Sequence, residues 1–442
     1  MKFQGIIFDM DGIVLDSERY AEGVFAEIFK SLNKELTHEL FVSVLGTTAE
    51  AENKILYDYF GSQKDVLFFR EQFTLLMDKG YQEGKIALKK GAYELINYLK
   101  EKNIPYALAT SSPRERVAMC FNNTEFGSNP FEYVVTGCEV ENSKPAPDIF
   151  FRAAELINCD IEKCLIIEDS FNGVRAARAS GATSCMIVDI IPPTEELMEN
   201  IDMIKEDLFE VKRMIESSYL TPKELAGYID HANLKAFLTE EDLKKLCDDA
   251  DRFGCRIVAI NSYPVKFCKE YLKNSEVGVG AAISFPLGQT TIETKVQETI
   301  NAIKDGADEI DYVINIGKAK EHNYEYIREE MQRIVKVCKD NNVTVKAIFE
   351  NCYLTDEEKI ELCHVAREVQ PDYIKTSTGF GSGGATLEDV RLMVREVDGK
   401  VKVKAASGIR NLKDALKFIE AGAERLGTSA AETIIRQFNE KE

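Results

Sequence analysis

The stretch Glu309-Ile-Asp-Tyr-Val-Ile314 decides the fold of the second half of the chain. Side chains alternate between the two faces of a strand, so Ile310, Tyr312 and Ile314 form one apolar face. The same alternation puts Asp311 on the opposite face. A strand of this kind suits a parallel barrel, whose helices cover the apolar face while the other face points inward. We therefore expect Asp311 to lie inside a barrel.

Similar segments recur on both sides of this stretch. The eight strand candidates are residues 228–230, 256–260, 277–283, 309–314, 344–349, 372–375, 401–405 and 425–427. Helical periodicity follows most of them, and eight strand–helix units in about 224 residues have the size and rhythm of a (β/α)8 barrel. The sequence thus predicts a TIM barrel over residues 219–442.

Two lysines share the inward parity of Asp311. Lys375 faces inward in Asp372-Tyr-Ile-Lys-Thr-Ser377, and Lys404 faces inward in Val401-Lys-Val-Lys404. A lysine attacks a carbonyl only as the free amine, and a second ammonium nearby disfavours the protonated form. We therefore predict that Lys375 forms a Schiff base, that Lys404 tunes it and that Asp311 moves protons.

Lys346 and Lys402 have the same inward parity. A lone lysine in a strand is usually a solvated edge residue. Because no motif gives either lysine a role, we interpret both as structural or rim residues.

Small residues follow the strands that carry the two catalytic candidates and the last strand. The candidate phosphate-binding residues are Gly379, Ser407, Gly408, Gly427 and Ser429. Glycines let backbone N–H groups approach a phosphate, and barrels commonly bind phosphate with the loops after their final strands. These loops predict a phosphorylated substrate.

Taken in order, the motifs of this half resemble those of deoxyribose-phosphate aldolases over nearly all of residues 219–442. The resemblance rests on Ile229-Asp-His231, Phe285-Pro-Leu-Gly288, Val313-Ile-Asn-Ile-Gly317, Ile374-Lys-Thr-Ser-Thr-Gly-Phe380 and Arg425-Leu-Gly-Thr-Ser429. It implies a cofactor-free class I aldolase that cleaves 2-deoxy-D-ribose 5-phosphate to glyceraldehyde 3-phosphate and acetaldehyde, with Asp230 near the substrate. A homodimer through the barrel is a further expectation. One departure is Ser407, which stands where the family usually has the first of two glycines.

The first half begins with Gly5-Ile-Ile-Phe-Asp-Met-Asp-Gly12, which places Asp9 and Asp11 just past a buried strand. Open α/β sheets put their ligands at this position. Further apolar runs at 106–109 and 164–167 predict parallel strands, and helical patterns over about 18–85 predict a cap. We expect an α/β domain over residues 1–216.

The polar residues after these strands suit phosphoryl transfer. Asp9 can attack phosphorus, and Asp11 can serve as general acid and base. Carboxylates suit Mg²⁺, and the candidate ligands are Asp9, Asp11, Glu168 and Asp169. Thr110 offers a hydroxyl and Lys144 a cation to phosphate oxygens.

These four motifs resemble the haloacid dehalogenase-like phosphatases, especially the β-phosphoglucomutase-like branch. That branch carries a cap histidine and arginine that position the sugar phosphate, and this chain has Ala21 and Ala49 there. The resemblance therefore favours a Mg²⁺-dependent phosphatase of small phosphate esters over a mutase. A sugar-phosphate mutase that feeds the aldolase, or a non-catalytic regulatory module, remains an alternative, and a phosphosugar isomerase remains one for the barrel.

Net charge and cysteine usage indicate the kind of partner and the cellular location. A net charge of -20 repels nucleic acid and anionic lipid, so we expect small phosphorylated sugars as partners, and neither nucleic acid nor membrane. The eleven cysteines are odd in number and form no metal-ligand pairs, which is typical of reduced thiols. The sequence therefore predicts a cytoplasmic protein.

Overall fold

A computed structural model describes residues 3–45, 47, 49–188, 190 and 193–440 of the chain. The backbone divides into two compact units, Met1–Ser218 and Tyr219–Glu442. None of the helices in these described ranges is long and apolar enough to cross a membrane.

The first unit is built on a parallel sheet. Its strands are β1 (Gly5–Phe8), β2 (Tyr106–Thr110), β3 (Val134–Thr136), β4 (Cys164–Glu168), β5 (Thr183–Ile187) and β6 (Met203–Lys205), in the order β3-β2-β1-β4-β5-β6. Its helices are α1 (Ser17–Ser31), α2 (His38–Val44), α3 (Ala49–Phe60), α4 (Gln63–Gln82), α5 (Ala92–Glu101), α6 (Arg114–Cys120), α7 (Asp148–Leu156), α8 (Phe171–Ser180), α9 (Glu195–Met198) and α10 (Leu208–Ser218). The central strands β1 and β4 are fully buried, which explains their unbroken apolar sequences.

Helices α1 to α4 follow β1 and have a core of their own. Phe25 packs against Phe41, Phe69 and Phe73 with ring centroids 5.2, 4.7 and 5.2 Å away. Burying several aromatic rings on facing helix stripes stabilises a helical cap without help from the sheet. Ala21 is buried in α1, whereas the side chain of Ala49 lies outside the described part of the structure.

The second unit is a closed barrel of parallel strands. These are β7 (Ile229–Ala232), β8 (Ile257–Asn261), β9 (Gly278–Ile283), β10 (Glu309–Val313), β11 (Thr344–Ile348), β12 (Tyr373–Lys375), β13 (Lys402–Ala406) and β14 (Arg425–Thr428), and β14 pairs with β7 to close the ring. The helices are α11 (Pro222–Gly227), α12 (Glu240–Phe253), α13 (Val265–Tyr271), α14 (Ile292–Lys304), α15 (Ile316–Lys320), α16 (Tyr324–Asp340), α17 (Asp356–Val369), α18 (Leu387–Val397), α19 (Leu412–Glu420) and α20 (Ala431–Asn439).

Each predicted barrel strand coincides with an observed one to within two residues at either end. Ile310, Tyr312 and Ile314 join the apolar layer between the strands and the helices. The predicted fold class, an α/β domain with a helical cap followed by a TIM barrel, is confirmed. Strands β3, β5 and β6 were not predicted, because they are short or less apolar.

Candidate active sites

Three charged side chains meet inside the barrel. Asp311 Oδ2 accepts hydrogen bonds from Lys375 Nζ at 2.8 Å and from Lys404 Nζ at 2.7 Å. Lys375 and Lys404 are register partners on β12 and β13, which brings their side chains to one level of the barrel. Because each of the three residues is exposed by 4% or less, the two ammoniums share a carboxylate oxygen with almost no screening by water.

Further buried charges surround this group. Lys346 Nζ donates to Asp311 Oδ1 at 2.6 Å and also contacts Glu309. Arg425 donates to Glu309 Oε2 at 3.0 Å and to Asp230 Oδ1 at 2.8 Å. Burying charges is tolerated only when they are paired, and every one of these side chains has a partner of opposite charge.

Asp230 supports Lys404 in this arrangement. Its Oδ2 lies 2.5 Å from Lys404 Nζ, and the residue is fully buried. It is not among the residues that line the cavity above the lysines. The structure therefore places Asp230 behind Lys404, and its position near the substrate stays a prediction.

The surroundings of Lys375 favour its free amine. Burial, followed by the nearby ammoniums of Lys404 and Lys346, lowers the pKa of Lys375 to about 8 even though Asp311 acts in the opposite direction. Burial alone would raise the pKa of Asp311, but Lys346, Lys375 and Lys404 hold it well below its usual range. Desolvation thus lowers the pKa of Lys375 more than the second lysine, Lys404, does.

A cavity of about 310 Å³ opens above the two lysines. Lys375 and Lys404 line it together with all five predicted phosphate-loop residues, namely Gly379, Ser407, Gly408, Gly427 and Ser429. Lys235 and Arg410, which were not predicted, also line the cavity and add positive charge. The cavity therefore joins Lys375, the predicted nucleophile, to donors suited to an anion.

The first unit has a second group of charges, at the carboxyl ends of β1 and β4. Lys144 Nζ donates to Asp9 Oδ1 at 2.5 Å, to Glu168 Oε1 at 2.6 Å and to the Ala109 carbonyl at 3.0 Å. Burial opposes the charge on Lys144, but Asp9 and Glu168 raise its pKa, so the residue stays cationic. Lys144 is therefore fixed beside Asp9, where a phosphoryl oxygen would need a cation.

Three carboxylates of this group could hold a metal ion. In the described ranges, carboxylate oxygens of Asp9, Glu168 and Asp169 all lie within 4.8 Å of one another. A Cβ on Gly12, which has φ +76°, would lie 1.8 Å from Asp169 Oδ2, so glycine is required for this close approach. Burial, with Glu168 and Asp11, raises the pKa of Asp9 to about 7 despite Lys144. Such a buried anionic group fits a hard divalent cation, which would offset the excess negative charge.

The carboxylate of Asp11 is held elsewhere and is not among the three carboxylates that cluster. It accepts hydrogen bonds from Tyr81 Oη and Ser112 Oγ, both at 2.8 Å. This position suits Asp11 to proton transfer, and its role as a metal ligand stays a prediction. Thr110 reaches the same sheet edge, where its hydroxyl accepts a hydrogen bond from the Ser112 N–H at 3.0 Å.

Comparison with known proteins assigns the barrel. The DeoC/LacD aldolase family matches residues 225–433. A deoxyribose-phosphate aldolase of Lactobacillus acidophilus is 56% identical over 210 residues, which are 48% of this chain and 89% of that protein. One from Thermococcus kodakarensis is 50% identical over 218 residues, which are 49% of this chain and 97% of that protein. The chain belongs to the deoxyribose-phosphate aldolase family.

The rest of the chain matches a different family. Haloacid dehalogenase-like hydrolases match residues 6–187. A solved structure described as a putative β-phosphoglucomutase from Thermotoga maritima is 25% identical, covers 49% of this chain and 99% of its own, and has a TM-score of 0.42. The chain thus joins a segment that matches the haloacid dehalogenase-like hydrolase family, at residues 6–187, to a deoxyribose-phosphate aldolase barrel.

Sequence reasoning missed part of the charge network of the aldolase domain. Lys346 is fully buried and contacts Asp311, so it is not a rim residue, whereas Lys402 is exposed. Strand parity placed Lys346 on the inward face but gave it no role. Parity could also have found Glu309, which shares that face with Asp311. The ion pair between Arg425 and Asp230 could not be found in this way, since the two residues are 195 apart in sequence.

Ser407 departs from the usual glycine of the aldolase family in a position where the backbone favours glycine. Its φ is +72°, in the left-handed region. A Cβ there costs about 1 kcal/mol relative to glycine. The side chain reaches the cavity wall and lies opposite Gly379, so its hydroxyl is close to the predicted phosphate site.

Proposed function

We propose that the aldolase domain cleaves 2-deoxy-D-ribose 5-phosphate to glyceraldehyde 3-phosphate and acetaldehyde through an imine on Lys375. The observation that carries this proposal is a nucleophilic lysine on the same 310 Å³ cavity as the glycine-rich loops. The free amine of Lys375 attacks the C1 aldehyde, and the carbinolamine loses water to give an iminium ion. That iminium is an electron sink for the next step.

The iminium then accepts the electrons of the C2–C3 bond while the C3 hydroxyl loses its proton. Glyceraldehyde 3-phosphate leaves, and the remaining enamine is protonated at C2 and hydrolysed to acetaldehyde and Lys375. We assign the proton relay to Asp311 and Lys404, because they share a hydrogen bond of 2.7 Å beside the Lys375 amine. In this relay the Asp311 carboxylate takes up the C3 hydroxyl proton through water. The Lys404 ammonium gives a proton to C2 of the enamine and regains one from Asp311.

Borohydride trapping tests this proposal. Incubation of the full chain with the phosphosugar and borohydride should add the reduced substrate to Lys375 and stop cleavage. Lys375→Ala should lose both reactions, whereas the exposed Lys402→Ala, on the same strand as Lys404, should retain both. Full cleavage by Lys375→Ala would exclude the imine.

We further propose that the haloacid dehalogenase-like domain hydrolyses small phosphate esters with Mg²⁺, through an aspartyl-phosphate at Asp9. The proposal rests on the Asp9 carboxylate, which lies beside a buried lysine and two further carboxylates. An Asp9 oxygen attacks phosphorus while Asp11 gives a proton to the leaving alkoxide, and water then releases phosphate as Asp11 takes a proton back.

Asp9 and Asp169 would hold the magnesium ion in this proposal. Glu168 is already committed to Lys144 through Oε1, and to the Ser170 N–H and hydroxyl through Oε2. A bound Mg²⁺ would neutralise charge on the phosphoryl group. Lys144 would bind a phosphoryl oxygen, and the Thr110 hydroxyl lies at the same edge.

Phosphorus NMR of deoxyribose 1-phosphate and 5-phosphate separates a phosphatase from a mutase. The wild type should release free phosphate and Asp9→Asn should release none. Lys375→Ala should release phosphate as the wild type does, but it should form no glyceraldehyde 3-phosphate. Interconversion of the two sugar phosphates, lost only in Asp9→Asn, would establish the mutase instead.

A further inference from the structure

Seven ionisable side chains, all described and buried, form one contact network inside the barrel. They are the acids Asp230, Glu309 and Asp311 and the bases Lys346, Lys375, Lys404 and Arg425. Three negative charges therefore face four potential positive charges. In a low-dielectric interior, such a network is most stable when the two sums are equal.

The contacts show which of the four bases are each bound to two acids. Glu309 is bound by Lys346 and Arg425, and Asp230 is bound by Lys404 and Arg425. Burial opposes the charges on Lys346 and Arg425, but their acidic neighbours raise both pKa values, so both stay cationic.

Lys375 is different, because its one carboxylate partner is already shared. Asp311 Oδ1 accepts from Lys346 at 2.6 Å, and Oδ2 accepts from Lys404 at 2.7 Å as well as from Lys375. Loss of a proton from Lys375 removes the surplus charge and leaves all three acids paired.

We propose that Lys346 is a positioning residue that favours the free amine of Lys375, by neutralising Glu309 and one oxygen of Asp311. The inference rests on the proposed imine chemistry for its purpose, but the charge state of Lys375 can be measured without that chemistry. Lys346 does not line the cavity and forms no hydrogen bond with Lys375. It acts on Lys375 through Glu309 and Asp311.

Two other charged groups near Lys375 form their hydrogen bonds or ion pairs with residues outside the seven side chains. Glu350, on the segment after β11, accepts a hydrogen bond from the Thr378 N–H at 3.2 Å and another from its hydroxyl. Burial raises the pKa of Glu350, while the hydrogen bonds from Thr378 and the nearby Lys375 act in the opposite direction. Lys402, at the start of β13, is exposed and pairs with Glu424 at 3.7 Å.

Carbamylation by cyanate tests the proposal, because cyanate reacts only with unprotonated amines. The full chain is labelled over a range of pH, and mass spectrometry of the peptide that contains Lys375 gives the extent of carbamylation. Lys346→Met removes one positive charge, so the three acids are neutralised only if Lys375 is protonated. The titration of Lys375 should therefore move upward by about 1 to 3 pH units. Glu309→Gln removes a negative charge and should move it downward. The double variant restores a surplus of one base and should return the titration towards that of the wild type.

Lys402→Met is the matched control, and its Lys375 titration should equal that of the wild type. If Lys346→Met does not fold, the downward shift in Glu309→Gln still decides. The proposal would be overturned if the Lys375 titration were unchanged in both single variants. It would also be overturned if the titration in the double variant were no closer to that of the wild type than the titration in Lys346→Met. A wild type that carbamylates at Lys375 near pH 8 but cleaves no phosphosugar would instead refute the aldolase proposal alone.

Discussion

Replacing Asp311 by asparagine should have opposite effects on two properties of the aldolase site. It should raise the fraction of Lys375 that is a free amine, and it should lower the turnover of the phosphosugar. The substitution keeps the shape of the side chain but removes the charge that three ammoniums contact at 2.6, 2.7 and 2.8 Å. Asp311 is the neighbour that holds a proton on Lys375 against burial and against the other two lysines. Without it, the Lys375 pKa should fall by a further 1 to 3 units or so.

The expected size follows from the wild-type value. With a pKa of about 8, roughly one Lys375 side chain in ten is neutral at pH 7. A fall of about one unit makes half of them neutral, so carbamylation of Lys375 by cyanate at pH 7 should be about five times faster in Asp311→Asn. Turnover should nevertheless fall by about 10² to 10⁴, because the proton relay is broken.

Cyanate labelling and the cleavage rate of the phosphosugar at pH 7 are measured on the same preparations. Circular dichroism controls for folding, since unpairing buried charges costs about 3 to 5 kcal/mol. Slower labelling together with slower turnover would show that Asp311 positions Lys375 without setting its pKa. Turnover within tenfold of the wild type would remove Asp311 from the relay.

Three further outcomes are expected. The kcat/KM of cleavage should fall about tenfold per unit as the pH drops below the Lys375 pKa of about 8, because the reactive amine becomes protonated; a profile flat to pH 6 would contradict this. Ser407→Gly should raise the free energy of unfolding of the barrel by about 0.5 to 1 kcal/mol in urea titrations, since φ is +72°. Gly12→Ala should abolish phosphate release but leave aldol cleavage unchanged, because its Cβ would lie 1.8 Å from Asp169 Oδ2; normal phosphatase activity would show that this approach is dispensable.

The sequence by itself determined the two fold classes and the barrel site. Alternation along a strand is a local property, so Glu309-Ile-Asp-Tyr-Val-Ile314 was sufficient to place Asp311 inside and its isoleucines outside. Parity and ordered motifs then indicated the two lysines and the phosphate loops, and the structure brings these residues to one cavity. Asp311 and Asp230 lie behind that cavity.

Only the tertiary structure decided which charge neutralises which. Parity states that Asp230, Lys346 and Arg425 can face inward, but the pairs depend on strand register and on the closure of β14 against β7. The same holds in the first unit, where the chain fold brings Tyr81 to Asp11 across 70 residues and thereby removes Asp11 from the carboxylate cluster. Contacts between distant segments follow from packing of the whole barrel or sheet, and no local sequence pattern contains them.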